Sequence, residues 1–78
     1  MKRLSDRDVL EAIKRLAGDG YTPMPEVIAA LPRRSHADRR RAIHYAVNRG
    51  LVIQRRGPDG RQHVAIGSEG WRVLRDAA

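Results

Sequence analysis

The sequence contains no cysteine, and only three of its 78 residues are aromatic: Tyr21, Tyr45 and Trp71. Without thiols there is no disulfide framework and no thiolate metal site, which is compatible with a reducing compartment. Long apolar runs are missing as well. None approaches the roughly 18 residues needed to cross a bilayer. Met1-Lys2-Arg3 leads into a charged segment, not a signal-peptide core, so a cytoplasmic, nucleoid-associated location is expected. Lysine is scarce too: fourteen of the sixteen bases are arginine. Together with abundant alanine, that bias points to a GC-rich coding sequence more than to chemistry. No internal repeat, low-complexity tract or linker is visible, and 41% hydrophobic residues suit one folded domain over 1–78 with a small core.

The most informative scarcity is local. Residues 33–61 hold nine arginines (33, 34, 39, 40, 41, 49, 55, 56 and 61) against two acids, Asp38 and Asp59. The whole formal charge of +7 therefore lies in that stretch, and the rest of the chain is balanced. Concentrated like charge opposes compaction through self-repulsion. A polyanionic partner is the usual compensation, and arginines clustered on one element of a strongly basic domain are the footprint of nucleic-acid binding.

Around that stretch the element signals are clear. Ser5 and Asp8 form a capping box with Leu4 placed to staple against Val9; Val9, Ile13, Leu16 and Ala17 recur at helical spacing up to Gly18. This predicts a helix over 5–17. Tyr21-Thr22 reads as a short extended stretch. Pro25 suits the first turn of a second helix over about 24–31, with Val27, Ala30 and Leu31 as its apolar stripe and Pro32 forbidding continuation. Ser35 with Asp38 reads as a second capping box, opening a third helix over about 36–49 that turns Ala42, Ile43, Ala46 and Val47 inward. Leu51–Arg56 and Arg61–Ile66 read as two strands around the turn cluster Gly57-Pro58-Asp59-Gly60, the second alternating with period two. Ser68 caps a short last helix offering Trp71, Val73 and Leu74.

Three stretches carry a resemblance that spans nearly the whole chain. They are Ala42-Ile43-His44-Tyr45-Ala46-Val47-Asn48-Arg49-Gly50-Leu51-Val52, then Arg55-Arg56-Gly57-Pro58-Asp59-Gly60-Arg61, and Ser68-Glu69-Gly70. In this order they resemble the winged helix-turn-helix superfamily, and the last is similar to the segment after the wing in MarR- and PadR-like bacterial regulators. The resemblance implies an α+β winged helix-turn-helix fold: a three-helix core, a two-stranded β-hairpin wing over about 51–66 and a short C-terminal helix. It also implies that helix 36–49 is the recognition helix. Arg39 departs from the pattern, standing where such domains carry a buried β-branched residue, and is expected to snorkel outward.

With Arg39, Ala42, Ile43, Ala46 and Val47 facing the core, roughly 100° per residue puts Ala37, Arg41, His44, Tyr45 and Asn48 on the opposite face and Arg40 on the flank. The resemblance implies that the start of this helix enters the major groove. Arg41 is the leading base reader, because arginine bonds bidentately to guanine; Arg40, His36, Asp38 and His44 follow. Arg33, Arg34 and Ser35 are expected at phosphates. Wing residues Arg55, Arg56 and Arg61 are expected at the backbone or a narrow minor groove. Arg49 beside Gly50 reads as a partner for the helix C-terminus.

Double-stranded DNA is thus the expected partner, and a small bacterial, phage or plasmid transcriptional regulator the expected role. The alternative is a winged-helix protein- or RNA-interaction module using the basic face or the Trp71 end. Trp71 reads either as the plug of the core or, with Leu74 and helix 5–17, as a homodimer interface. His36 and His44 stand eight residues apart, about 12 Å along one helix, and His63 falls on the wing, so no metal set forms. No nucleophile–base–orienter set or phosphate-cradling glycine loop is visible. No enzyme activity, cofactor, small molecule or membrane contact is expected.

Overall fold

A computed structural model describes residues 4–76. The reading of Met1, Lys2 and Arg3 lies outside them. The element order is α1 (Asp6–Ala17), β1 (Thr22–Pro23), α2 (Met24–Ala30), α3 (His36–Asn48), β2 (Val52–Arg56), β3 (Gln62–Ile66) and α4 (Ser68–Asp76). The architecture is α+β, with four helices and a three-stranded antiparallel sheet in the order β1-β3-β2. Among the described residues no helix is long and apolar enough to cross a membrane.

Local chemistry sets the helix starts. At α1 the capping box is complete: the Asp8 amide donates to Ser5 Oγ at 3.2 Å and the Ser5 amide to Asp8 Oδ2 at 2.9 Å. At α3 only half of the expected box forms. The Asp38 amide donates to Ser35 Oγ at 3.1 Å, but the Asp38 carboxylate turns toward Arg41, an ordinary competition between a cap and a cation one turn on. Ser68 is the first residue of α4 and not its cap, and the Trp71 amide donates to the Gly67 carbonyl.

The sheet has three strands where the sequence suggested two. Thr22 pairs with Val64 and Pro23 with His63, so the stretch before α2 closes one side of β3. Two residues around a proline are too short to show any alternation, and only the tertiary fold supplies their partner. With strands on both sides, β3 loses its expected alternation as well: Val64, Ala65 and Ile66 are all buried. Ala65 lies across from Ile53, and the register carried back one residue sets Tyr21 at its other side. These larger neighbours shade the small side chain.

One aliphatic core joins the layers. Val9, Leu10 and Ile13 from α1, Val27 from α2, Ile43 and Ala46 from α3, and Val52 and Val64 from the sheet are essentially removed from water. Burial of each large aliphatic side chain is worth about 1.5–3 kcal/mol. Trp71, Val73 and Leu74 pack half-buried against this same core from α4, which agrees with Trp71 as its plug.

Arg39 does not snorkel. Its guanidinium folds inward and donates from Nη1 to the Ile28 carbonyl at 3.1 Å, while Nε is buried without a partner. That carbonyl lies in the last turn of α2 and also accepts the Leu31 amide at 3.3 Å, so Arg39 takes its second lone pair. A cation at a helix C-terminus also meets the negative end of the macrodipole. Arg39 therefore ties the end of α2 to the start of α3 and sets how α3 is presented.

Gly70 explains how closely α4 lies on the sheet. A β-carbon there would strike the Leu51 carbonyl oxygen and come within 2.8 Å of Ile66 Cγ2 and 2.9 Å of Leu10 Cδ2. Only hydrogen fits.

Candidate nucleic-acid interface

Nine arginines in one stretch are a charge density, not a site. The structure sorts them by what each side chain already holds. Arg39 is committed to Ile28. Arg49 pairs with Asp6 at the start of α1 and lies over the Tyr45 ring at 5.9 Å, so it joins two helices and does more than serve its own helix end. Arg55 stacks on Tyr21 at 4.1 Å from the ring centroid. Arg39 and Arg49 are thus tied into the fold, whereas Arg55 keeps its charge and its N–H donors above the ring.

Three more have weak or solvent-exposed partners. Arg41 stands 3.7 Å from Asp38 Oδ1, both side chains more than half exposed. Arg56 reaches the Gly60 carbonyl at 3.4 Å, and Arg34 donates to the Arg33 carbonyl at 2.6 Å. An exposed ion pair such as Arg41–Asp38 contributes about 0–1 kcal/mol. Arg33, Arg40 and Arg61 have no ion-pair or hydrogen-bond partner for their side chains among the described residues.

Two of those three line the same cleft. Arg40, with His36, sits on the flank of α3 that faces the hairpin, and Arg61, with Gln62, comes from β3 and the turn before it. All four line one cleft of about 330 Å³ floored by Met24, Pro25 and Ile28 of α2. The hairpin presents Arg61 there because its turn is tightly specified. The Gly60 amide donates to the Gly57 carbonyl at 2.9 Å, the Gly57 amide to the Arg61 carbonyl at 2.8 Å, and the Arg61 amide to Asp59 Oδ1 at 3.0 Å. Gly60 has φ +79, a conformation other residues adopt only under strain.

Of the residues expected to read bases, Arg41 and His44 lie exposed on the outward face of α3, with His36 and Arg40 on the hairpin side. Asp38 is exposed but engaged by Arg41. Ser35 is the N-cap of α3; its oxygen accepts the Asp38 amide, which leaves its hydroxyl hydrogen to donate outward. Arg33 is exposed and Arg34 half-buried.

The three hairpin arginines do not form one group. In the ladder Arg55 pairs with His63 and Arg56 with Gln62, so their side chains leave opposite faces of the sheet. Arg55 belongs with Tyr21, Pro23 and Ile53 on the outer face, while Arg56 lies on the face of Gln54 and Gln62. Sequence reasoning missed Gln62, the α2 floor of the cleft and the Tyr21 partner of Arg55. A period-two count from Val52 separates Arg55 from Arg56; nothing in the sequence gives the convergence of α2 with Arg61.

Among the described residues no cluster of three His, Cys, Asp or Glu side chains could hold a metal ion. Comparison with known families, curated proteins and solved structures found no match for this chain.

Proposed function

We propose that this chain is a winged-helix domain that binds double-stranded DNA as a small bacterial, phage or plasmid-type transcriptional regulator. In this reading α3 enters the major groove with Arg41 as the leading base reader and Arg40, His36, Asp38 and His44 beside it. The β2–β3 hairpin is the wing, following the backbone into the adjacent groove. Arg33, Arg34 and Ser35 hold phosphates at the start of α3.

The observation that carries the reading is the pair Arg40 and Arg61. Two cations from separate elements, neither neutralised within the described residues, face one cleft beside an exposed basic helix face. Folding alone does not favour that arrangement, and a polyanion does. Arg55 takes no part in this version of the interface, since it leaves the hairpin on the face opposite Arg56 and lies beside Tyr21. That outer face, with Tyr21 and Ile53 exposed beside Arg55, favours a protein or RNA contact as a second reading.

Selection of random duplex DNA on the purified protein at about 150 mM salt tests the reading. Enrichment of a short motif is the expected result. A palindrome with half-sites about 34 Å apart would add a dimer, and an asymmetric motif a monomer. Salt-sensitive retention without enrichment would remove base reading by α3. Binding that maps to Tyr21, Ile53 and Arg55 would favour the second reading.

A further inference from the structure

The cleft between α2, α3 and the hairpin has a composition that a bare phosphate does not need. Its floor is apolar: Met24 and Ile28 are buried and Pro25 is exposed at the lip. Its rim is cationic, from Arg40 and Arg61, with Gln62 adding a neutral amide. The neighbouring acids are turned to other uses. Glu26 accepts the Thr22 hydroxyl at 3.3 Å, and Asp59 accepts the Arg61 amide. At about 330 Å³ the cleft lies at the small end of ligand sites, which run ~300–1,000 Å³.

Arg40 and Arg61 are exposed and carry no counter-ion within the described residues, so their positive potential at the rim favours an anion. The anion must be one that uses the floor as well. A carboxylate on a flexible stem offers one charge and little rigid surface. A sugar phosphate offers a phosphoryl group with free oxygens for two guanidinium forks and a furanose ring with an apolar face.

We propose that this cleft seats a single sugar phosphate, its phosphoryl group between Arg40 and Arg61 and its ring against Met24, Pro25 and Ile28. Gln62 hydrogen-bonds the phosphoryl or ring oxygens. The same chemistry is found in one nucleotide of a DNA backbone and in a free nucleotide. The seat follows from the cleft; its duplex source rests on the function proposed above. In a duplex the seat makes one phosphate the fixed point between α3 and the hairpin, so it sets the register between what each element touches.

Arg40→Gln, Arg61→Gln and the double variant test this in the whole chain, each checked for folding by circular dichroism. If one phosphate is shared, each single variant lowers duplex affinity about tenfold, and the double loses well under the hundredfold that independent contacts would give. The slope of log K against log salt then falls by about 0.9 in the double variant, not about 1.8. Additive losses with the larger change of slope would assign two separate phosphates and overturn the shared seat.

Thymidine 5′-monophosphate, followed by the NMR signals of the Met24 methyl and the Gln62 side-chain amide, supplies the second arm. The nucleotide should move both signals in the parent and neither in the double variant, and thymidine alone should move neither. Pro25→Glu, a substitution compatible with the first turn of α2, should abolish the response by repulsion at the lip. Inorganic phosphate binding as tightly as the nucleotide would exclude a role for the floor. Displacement of duplex by micromolar nucleotide would assign the free-nucleotide source, and millimolar binding the duplex source. A nucleotide response without duplex binding would leave the seat standing and refute the DNA reading. Duplex binding with no nucleotide response and additive losses would do the reverse.

Discussion

Gly70→Ala is the substitution whose sign the structure decides. In an exposed helix this change adds about 1 kcal/mol of stability, because glycine is a poor helix former. Here the new methyl group meets the Leu51 carbonyl oxygen, Ile66 Cγ2 at 2.8 Å and Leu10 Cδ2 at 2.9 Å. Three obstacles on different elements leave no single direction of escape. The Leu51 carbonyl is itself held, accepting the Gly67 amide at 2.9 Å. Relief therefore requires α4 to lift from the sheet and partly uncover Trp71 and Leu74. Overpacking of this kind costs about 1–3 kcal/mol. A restrained carbonyl puts the cost at the upper end, and subtracting the propensity gain leaves a net loss of about 2 kcal/mol. For a domain of this size that lowers the melting temperature by roughly 8–16 °C. Thermal melts followed by circular dichroism measure it. Gly20→Ala is the control, because its β-carbon would meet only the Ala17 carbonyl at an ordinary 3.4 Å. An unchanged or raised melting temperature for Gly70→Ala would refute the close packing of α4.

The remaining predictions concern the arginines. Arg41→Ala should weaken the preferred duplex by about 1–3 kcal/mol and flatten its sequence preference in the same selection, whereas equal losses on all sequences would remove Arg41 as a base reader. Asp38→Ala releases the Arg41 guanidinium and should loosen preference while raising non-specific affinity; titration of a scrambled duplex reads this directly. Arg55→Ala should cost about 0.5–1 kcal/mol of stability through the lost Tyr21 stack yet reduce duplex affinity less than Arg61→Ala, and the opposite ranking would return Arg55 to the interface. Arg39→Met keeps the stem and removes a partly unsatisfied cation, so its melting temperature should stay near the parent value, while Arg39→Ala should lose about 1–2 kcal/mol. Equal losses for both would show that the Ile28 hydrogen bond outweighs packing.

The helices were legible because their signals are local. Ser5, Pro25, Ser35 and Gly50 stand within one turn of the ends they define, and the apolar spacing of Val9 and Ile13, or of Ile43 and Ala46, repeats within each helix. The errors were at places where two segments meet. Thr22–Pro23 becomes a strand only because β3 offers it a partner 42 residues later, from Thr22 to Val64. Arg39 reads as a surface cation until the last turn of α2 supplies a carbonyl for it. Gly70 is read from the sequence only as part of Ser68-Glu69-Gly70, and the close approach of the Leu51 carbonyl that requires a glycine there comes from the packing of α4.

The charge of this protein follows the same division. Its sequence alone determined that +7 lies between residues 33 and 61, since charge is a sum over residue types and needs no coordinates. It also determined that one helix, the short connection before it and one hairpin carry that charge, since turn and cap chemistry act over three or four residues. Which cations remain available was decided only by the tertiary structure. Pairing depends on distances between segments: Asp6 reaches Arg49 across 43 positions, and Tyr21 reaches Arg55 across the sheet. The cleft that gathers Arg40 and Arg61 is likewise a product of packing, because its floor, flank and rim come from three elements that meet only when the core closes.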